Sequence, residues 1–189
     1  MAMPAVQPRR WTADEVRALP DEPGKRFECV DGELLVSPGP KWPHQRAVRA
    51  LLRALDAYVV GQRIGDLLMG PGEVELDPYT LVQPDVFVLP LVGGRVPAGP
   101  EESAEPLLVV EVLSPSTARF DRGVKRDRYQ RAGTEYWIVD VDSRVAERWV
   151  PGAAAPEVLR DALRWHPAGA VEALVIPLPP LFAEAHGER

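Results

Sequence analysis

The stretch LLVVEVL, residues 107–113, sets Glu111 in the middle of an apolar run that otherwise reads as a buried strand. An ionised carboxylate in an apolar interior is costly unless a cation or hydrogen-bond donors offset its desolvation. Any fold open to this chain must therefore bring Glu111 a partner: a metal ion, a catalytic proton, or an arginine such as Arg122 or Arg126 in a buried ion pair.

The remaining pattern supplies one domain around that strand. With 189 residues, 46% of them hydrophobic, the chain can bury a real core, and residues 1–189 are expected to form a single domain with loosely ordered tails at 1–11 and 183–189. Thr12 and Glu15 form a capping box that opens a short helix, stopped at Pro20. RFECVDGELLV, from Arg26, reads as two strands joined by Asp31-Gly32, a pair suited to a type I′ turn; this places Glu28 and Glu33 on one sheet face. From Pro43, apolar residues at Ala47, Val48, Leu51, Leu52, Leu55 and Val59 mark an amphipathic helix. Strands are expected over 64–69, 72–76, and from Thr80 and Pro106. A polar helix follows over 121–132, then a hairpin turning at Asp142-Ser143 and one or two edge strands in the tail. The order of elements implies an α/β (α+β) fold, a central mixed β-sheet flanked by helices, with an N-terminal helix and β-hairpin.

No apolar run approaches the roughly 18 residues of a membrane span, and the N-terminus lacks the apolar stretch of a secretory signal, so a cytoplasmic protein without membrane contact is expected. The single cysteine, Cys29, excludes an internal disulfide and a thiolate metal site. A net charge of −6 argues against coating nucleic acid with the whole surface. Two local basic sets remain for phosphate contact: Arg119, Arg122 and Arg126 after the Glu111 strand, opposed nearby only by Asp121 and Asp127, and Arg46 and Arg49 at helical spacing.

A second carboxylate, Asp85, follows Pro84 at a strand entrance. A hard divalent ion such as Mg²⁺, or Mn²⁺ in its place, would offset both acids at once and could activate water against a phosphodiester. Lys125, on the helix after the Glu111 strand, is the basic residue that could hold the attacking water.

QPDVFV and VVEVLSPST resemble the PD-(D/E)XK nuclease pattern, a Pro-Asp pair followed on the next strand by an acid, one residue and a lysine. RFECVDGELLVSPGPKWPH, QPDVFVLP, VVEVLSPST and DRGVKRDRYQRAGTEYWIVD, in that order, are similar to the Uma family of restriction-endonuclease-like proteins, over roughly residues 12–182. The resemblance implies a restriction-endonuclease-like core, a DNA substrate, and Asp85 and Glu111 as ligands of Mg²⁺. The superfamily's lysine would stand at Leu113; the family likeness transfers that role to Lys125. A further acid would come from Glu28 or Glu33, with Glu33 preferred for its freedom beside the turn, and His44 would contact a phosphate or assist proton transfer. Cutting both strands would favour a homodimer. The competing readings are a nuclease-fold protein without catalysis, binding nucleic acid or a protein partner, and a two-carboxylate glycosidase. The latter lacks an aromatic sugar platform in the sequence.

Overall fold

The computed structural model describes residues 9–188; the part of the expected N-terminal tail that precedes Arg9 lies outside them. A short helix α1 (Ala13–Arg17) opens the fold through the Thr12 capping box, its hydroxyl accepting from the Glu15 N–H at 3.2 Å while Glu15 accepts from the Thr12 N–H at 2.9 Å. Strands β1 (Lys25–Val30) and β2 (Glu33–Pro38) form the expected hairpin. Asp31 and Gly32 adopt φ values of 51° and 88°, as a type I′ turn requires. The long helix α2 (Trp42–Gln62) follows, then β3 (Gly65–Met69), β4 (Val74–Asp77), β5 (Thr80–Val82), β6 (Val86–Pro90) and β7 (Leu108–Val112). The chain continues through α3 (Ala118–Phe120), α4 (Arg126–Ala132), β8 (Glu135–Asp140), β9 (Val145–Trp149), β10 (Glu157–Leu159), β11 (Ala162–Trp165), β12 (Leu174–Pro177) and α5 (Leu178–His186).

Two main sheets and a separate two-stranded pair, β11-β12, organise these elements. The larger is mixed and six-stranded, in the order β10-β9-β8-β7-β6-β3, with β7 and β8 its one parallel pair; the smaller is β2-β1-β5-β4, antiparallel throughout. Because side chains alternate across a strand, each central strand of the large sheet divides its residues between two cores. Val86, Val88, Leu108, Val110, Val112, Trp137 and Val139 face α2 and α5. Phe87, Leu89, Val109, Tyr136 and Ile138 face the small sheet and α4. Glu111 shares the parity of Val109, so the pleat sends it to the second side.

Three expectations change. The run from Thr80 is not one strand: it breaks at Gln83-Pro84-Asp85, so that β5 belongs to the small sheet and β6 to the large one. Pro84 has no N–H to give a ladder, which makes it a natural point for the chain to change sheets. The segment 121–132 is not one regular helix, since its turns reorganise between α3 and α4 and Gly123 leaves helical geometry at φ −112°, ψ −108°. The tail is partly helical: β10 is an edge strand of the large sheet, as expected, but β11 and β12 pair only with each other, and residues 183–186 belong to α5 rather than to a loose end. Its Leu178, Leu181, Phe182 and Ala185 are buried in the core shared with α2. Proline is tolerated in the first turn of a helix, where the missing N–H has no partner to lose, so Pro179 and Pro180 start α5 rather than extend β12. Residues 9–11 are also anchored, with the Trp11 N–H donating to the Gly32 carbonyl at 2.9 Å.

Truncating Phe182 to alanine is expected to destabilise the protein by about 3–5 kcal/mol in denaturant unfolding, the range for a buried phenylalanine. Val175→Ala, at a position 43% exposed, should change it by no more than about 0.5 kcal/mol.

Candidate active site

The entrance of β6 and the exit of β7 meet at two acids. Val86 pairs with Val110 in an antiparallel register, so one further step sets Asp85 beside Glu111. Both are almost fully buried, 5% and 3% exposed. Asp85 is held on every side. Its Oδ1 lies 3.2 Å from Arg26 Nη1 and 3.1 Å from His44 Nε2, and its Oδ2 accepts from the Val112 N–H at 2.9 Å. Burial pushes this carboxyl up, but the His44 ring, the Arg26 guanidinium and the Val112 N–H outweigh it and hold it below the usual aspartate value.

Glu111 meets Lys125, whose Nζ donates to its Oε1 at 3.0 Å. The same ammonium lies 2.9 Å from Glu28 Oε1 and 3.6 Å from Asp121 Oδ1. Burial would lower the Lys125 value, yet Glu111, Glu28 and Asp121 together hold it well above the usual lysine range, so this amine keeps its proton. Glu111 goes the other way. Its burial, joined by the negative charges of Asp85, Asp121 and Glu28, raises it well above the ordinary carboxylate range despite Lys125. Asp121 is raised too, chiefly by burial, and its Oδ1 has no hydrogen-bond partner.

The geometry explains how the sequence delivers these groups. Arg26 and Glu28 are two residues apart on β1 and therefore face the same way. Together they clamp the peptide at the strand break, Glu28 Oε1 accepting from the Gln83 N–H at 2.8 Å and Arg26 Nη1 donating to the Gln83 carbonyl at 3.0 Å. Asp121 and Lys125, four residues apart in the reorganised helical turns, both point inward. The cluster forms the floor of a cleft of about 390 Å³, walled by residues 37–41 and Pro43, where β2 passes into α2, and by Leu113 to Thr117. Leu113, in the position where the nuclease pattern has lysine, lines this cleft, and the cation reaches Glu111 from the helical segment instead.

The expected residues are thus partly brought together. Asp85, Glu111, Lys125 and His44 converge. Glu33 does not: it is exposed at the turn end of the hairpin, and Glu28, on the same face nearer the other end, is the acid that enters. The ion-pair partner of Glu111 is Lys125 rather than Arg122 or Arg126. The expected phosphate-binding arginines do not line the cleft. Arg122 is engaged by Glu147 at 2.7 Å and Asp140 at 3.2 Å, and Arg126 by Asp127 while its guanidinium lies over Trp149. Arg119 is exposed, Arg49 pairs with Glu184 at 2.8 Å, and Arg46 reaches the Ala185 carbonyl. Arg26, Asp121 and Lys41 are the cleft residues that sequence reasoning missed. The i, i+4 spacing of Asp121 and Lys125 and the period of two linking Arg26 to Glu28 were the available signals.

Among the described residues, no three of His, Cys, Asp and Glu form a ready coordination shell. The donors nevertheless suit a hard divalent ion, which commonly takes only one or two protein carboxylates, with water completing its shell. The cluster contains four carboxylates (Asp85, Glu111, Glu28 and Asp121) against two permanent cations, Arg26 and Lys125. Without an added cation the surplus of acids is met by protons, as the raised Glu111 and Asp121 indicate; a divalent ion would let them ionise instead.

Comparison with known proteins adds the family and the fold. The crystal structure described as "a putative nuclease belonging to DUF820", from Anabaena variabilis ATCC 29413, matches with a TM-score of 0.75 at 22% identity, over 93% of this chain and 99% of that one. No curated protein matches. The model of the Uma2 family, described as "Putative restriction endonuclease", matches residues 13–178, which include β1, the Pro84-Asp85 entrance, the Glu111 strand and Lys125. With most of its length matched, and every residue of the buried cluster inside the match, the chain belongs to the Uma2 family.

Proposed function

We propose that the protein is a divalent-metal-dependent endonuclease that hydrolyses DNA phosphodiester bonds, with Asp85 and Glu111 holding Mg²⁺ or Mn²⁺. The observation that carries this reading is the excess of buried carboxylate over buried cation at the floor of an open cleft. Such an ion would supply Lewis-acid polarisation of the phosphoryl group and a water acidic enough to attack near neutral pH.

The chain's own groups do the positioning. Lys125, held protonated, fixes the Glu111 carboxylate through Oε1 and keeps a positive charge where phosphate oxygens gain negative charge. In this arrangement it acts as a donor to Glu111. Arg26 and His44 set the orientation of Asp85 from one side, and the Val112 N–H sets it from the other. His44, whose ring lines the cleft beside Asp85, is the group we assign to contact a phosphate or assist proton transfer. Lys41, at the cleft wall, offers a phosphate contact.

In a plasmid-nicking assay with Mg²⁺ or Mn²⁺, Asp85→Asn and Glu111→Gln should each lower the rate by about 100-fold or more, and calorimetry should show metal binding lost in the double variant. Absence of metal binding by the wild type, with DNA present, would overturn the metal-dependent reading. Metal and DNA binding without nicking would favour the nuclease fold used only for binding.

Lys125→Met leaves three buried carboxylates without their shared cation. It should destabilise the metal-free protein by about 3–5 kcal/mol in urea unfolding. If the carboxylates gather a cation as proposed, millimolar Mg²⁺ should recover part of that loss.

A further inference from the structure

The wall of the cleft leads onto a second surface. Trp42, the first residue of α2, is 75% exposed, the most exposed aromatic side chain among the described residues. Its chain neighbours Lys41 and Pro43 line the cleft. From there Gln45, Arg46 and Arg49, at the i+3, i+4 and i+7 positions, continue one face of α2 and line a shallow groove of about 360 Å³ with Trp42. Both arginines have protein partners, Arg49 donating from Nε and Nη2 to Glu184. Arg49 is 61% exposed in its pair with Glu184, and Arg46 contacts the Ala185 carbonyl at 3.4 Å. Exposed ion pairs of this kind hold weakly and can exchange for a phosphate.

The acids lie deep while the groove is open. Asp85 and Glu111 sit at the floor of a cleft whose volume is that of a pocket for one small ligand, about 300–1,000 Å³. An intact duplex is stiff on this scale and keeps its bases stacked inward. An unpaired strand can instead lay a base on an aromatic face and its backbone along a basic groove, the combination by which proteins hold single strands.

Resting on the nuclease reading of the cleft, we infer that the DNA held here is single-stranded or locally unpaired, with a base stacked on Trp42, its backbone along Arg46 and Arg49, and the adjoining phosphate led past Lys41 to the acids. The groove reads no base edge, so the preference is for strandedness and not for sequence.

The test is the affinity of the full chain for a labelled oligothymidine and for a blunt-ended duplex of equal length annealed from two strands, by fluorescence anisotropy in metal-free buffer. Trp42→Ala should weaken oligothymidine binding about tenfold or more and leave the duplex within about twofold. Trp42→Phe should restore most of the loss. The substituted side chain is largely solvated, so folding is not at issue. Unchanged oligothymidine affinity in Trp42→Ala, or an equal loss on both DNAs, overturns the inference. Cleavage in Mg²⁺ is scored separately. Trp42-dependent single-strand binding with no cleavage would retain the platform and reject the nuclease. Cleavage with no dependence on Trp42 would retain the nuclease and reject the platform.

Discussion

One buried ammonium holds the architecture of the site together. Lys125 gathers Glu28 from the small sheet, Glu111 from the large sheet and Asp121 from the segment between α3 and α4. None of these groups could be buried alone, since an isolated charge pays its full desolvation cost; together they are tolerated because each supplies part of another's compensation. The interaction therefore requires three separate elements to arrive at one point. Asp121 and Lys125, at i and i+4, share the inward side of the segment whose turns reorganise around Gly123. Helical irregularities of this kind recur at functional sites.

What could be read from the sequence was what local chemistry dictates. Glu111 stood out because its neighbours are apolar, Asp85 because it follows a proline at a strand start, and Lys125 because it is the lysine on the next element. The hairpin was legible to the residue through Asp31-Gly32. That Glu28 and Glu33 share a face was legible too, but which end of the face meets the large sheet was not. The turn end is held away from the site, the Gly32 N–H donating to the Tyr79 carbonyl at 2.8 Å. This leaves Glu28 as the acid that reaches Lys125.

The arginines show the opposite failure. Between Arg119 and Arg131 only Asp121 and Asp127 are close in sequence, which makes the segment look like a bare cationic patch. Its neutralising acids come from elsewhere: Asp140 and Glu147 from β8 and β9 for Arg122, Asp77 from β4 for Arg128, and Asp31 from the hairpin turn for Arg131. Local charge counts cannot see partners set by sheet order. The same holds for α5, whose residues were expected as edge strand, until the apolar face of α2 supplied a surface on which to bury a helix.

A site with more buried acid groups than cations works against folding, and the arrangement of β7 shows how the chain tolerates it. Four of the five residues of that strand are apolar and fully buried. Leu108, Val110 and Val112 face α2 and α5 in a core that includes the edge contact of Trp137 with Trp165, and Val109 faces the small sheet. The α2 side of the strand contains none of the cluster's carboxylates, so it can be packed for stability alone. The other side carries the charges, where Glu111 lies at the strand's penultimate position, next to the cleft. Period-two alternation thus separates the two demands within a single strand: one parity anchors it, and the other presents the acid. A shift of one residue in the register of β7 would exchange them, sending Glu111 into the apolar core and Val110 to the cluster, and would lose both at once.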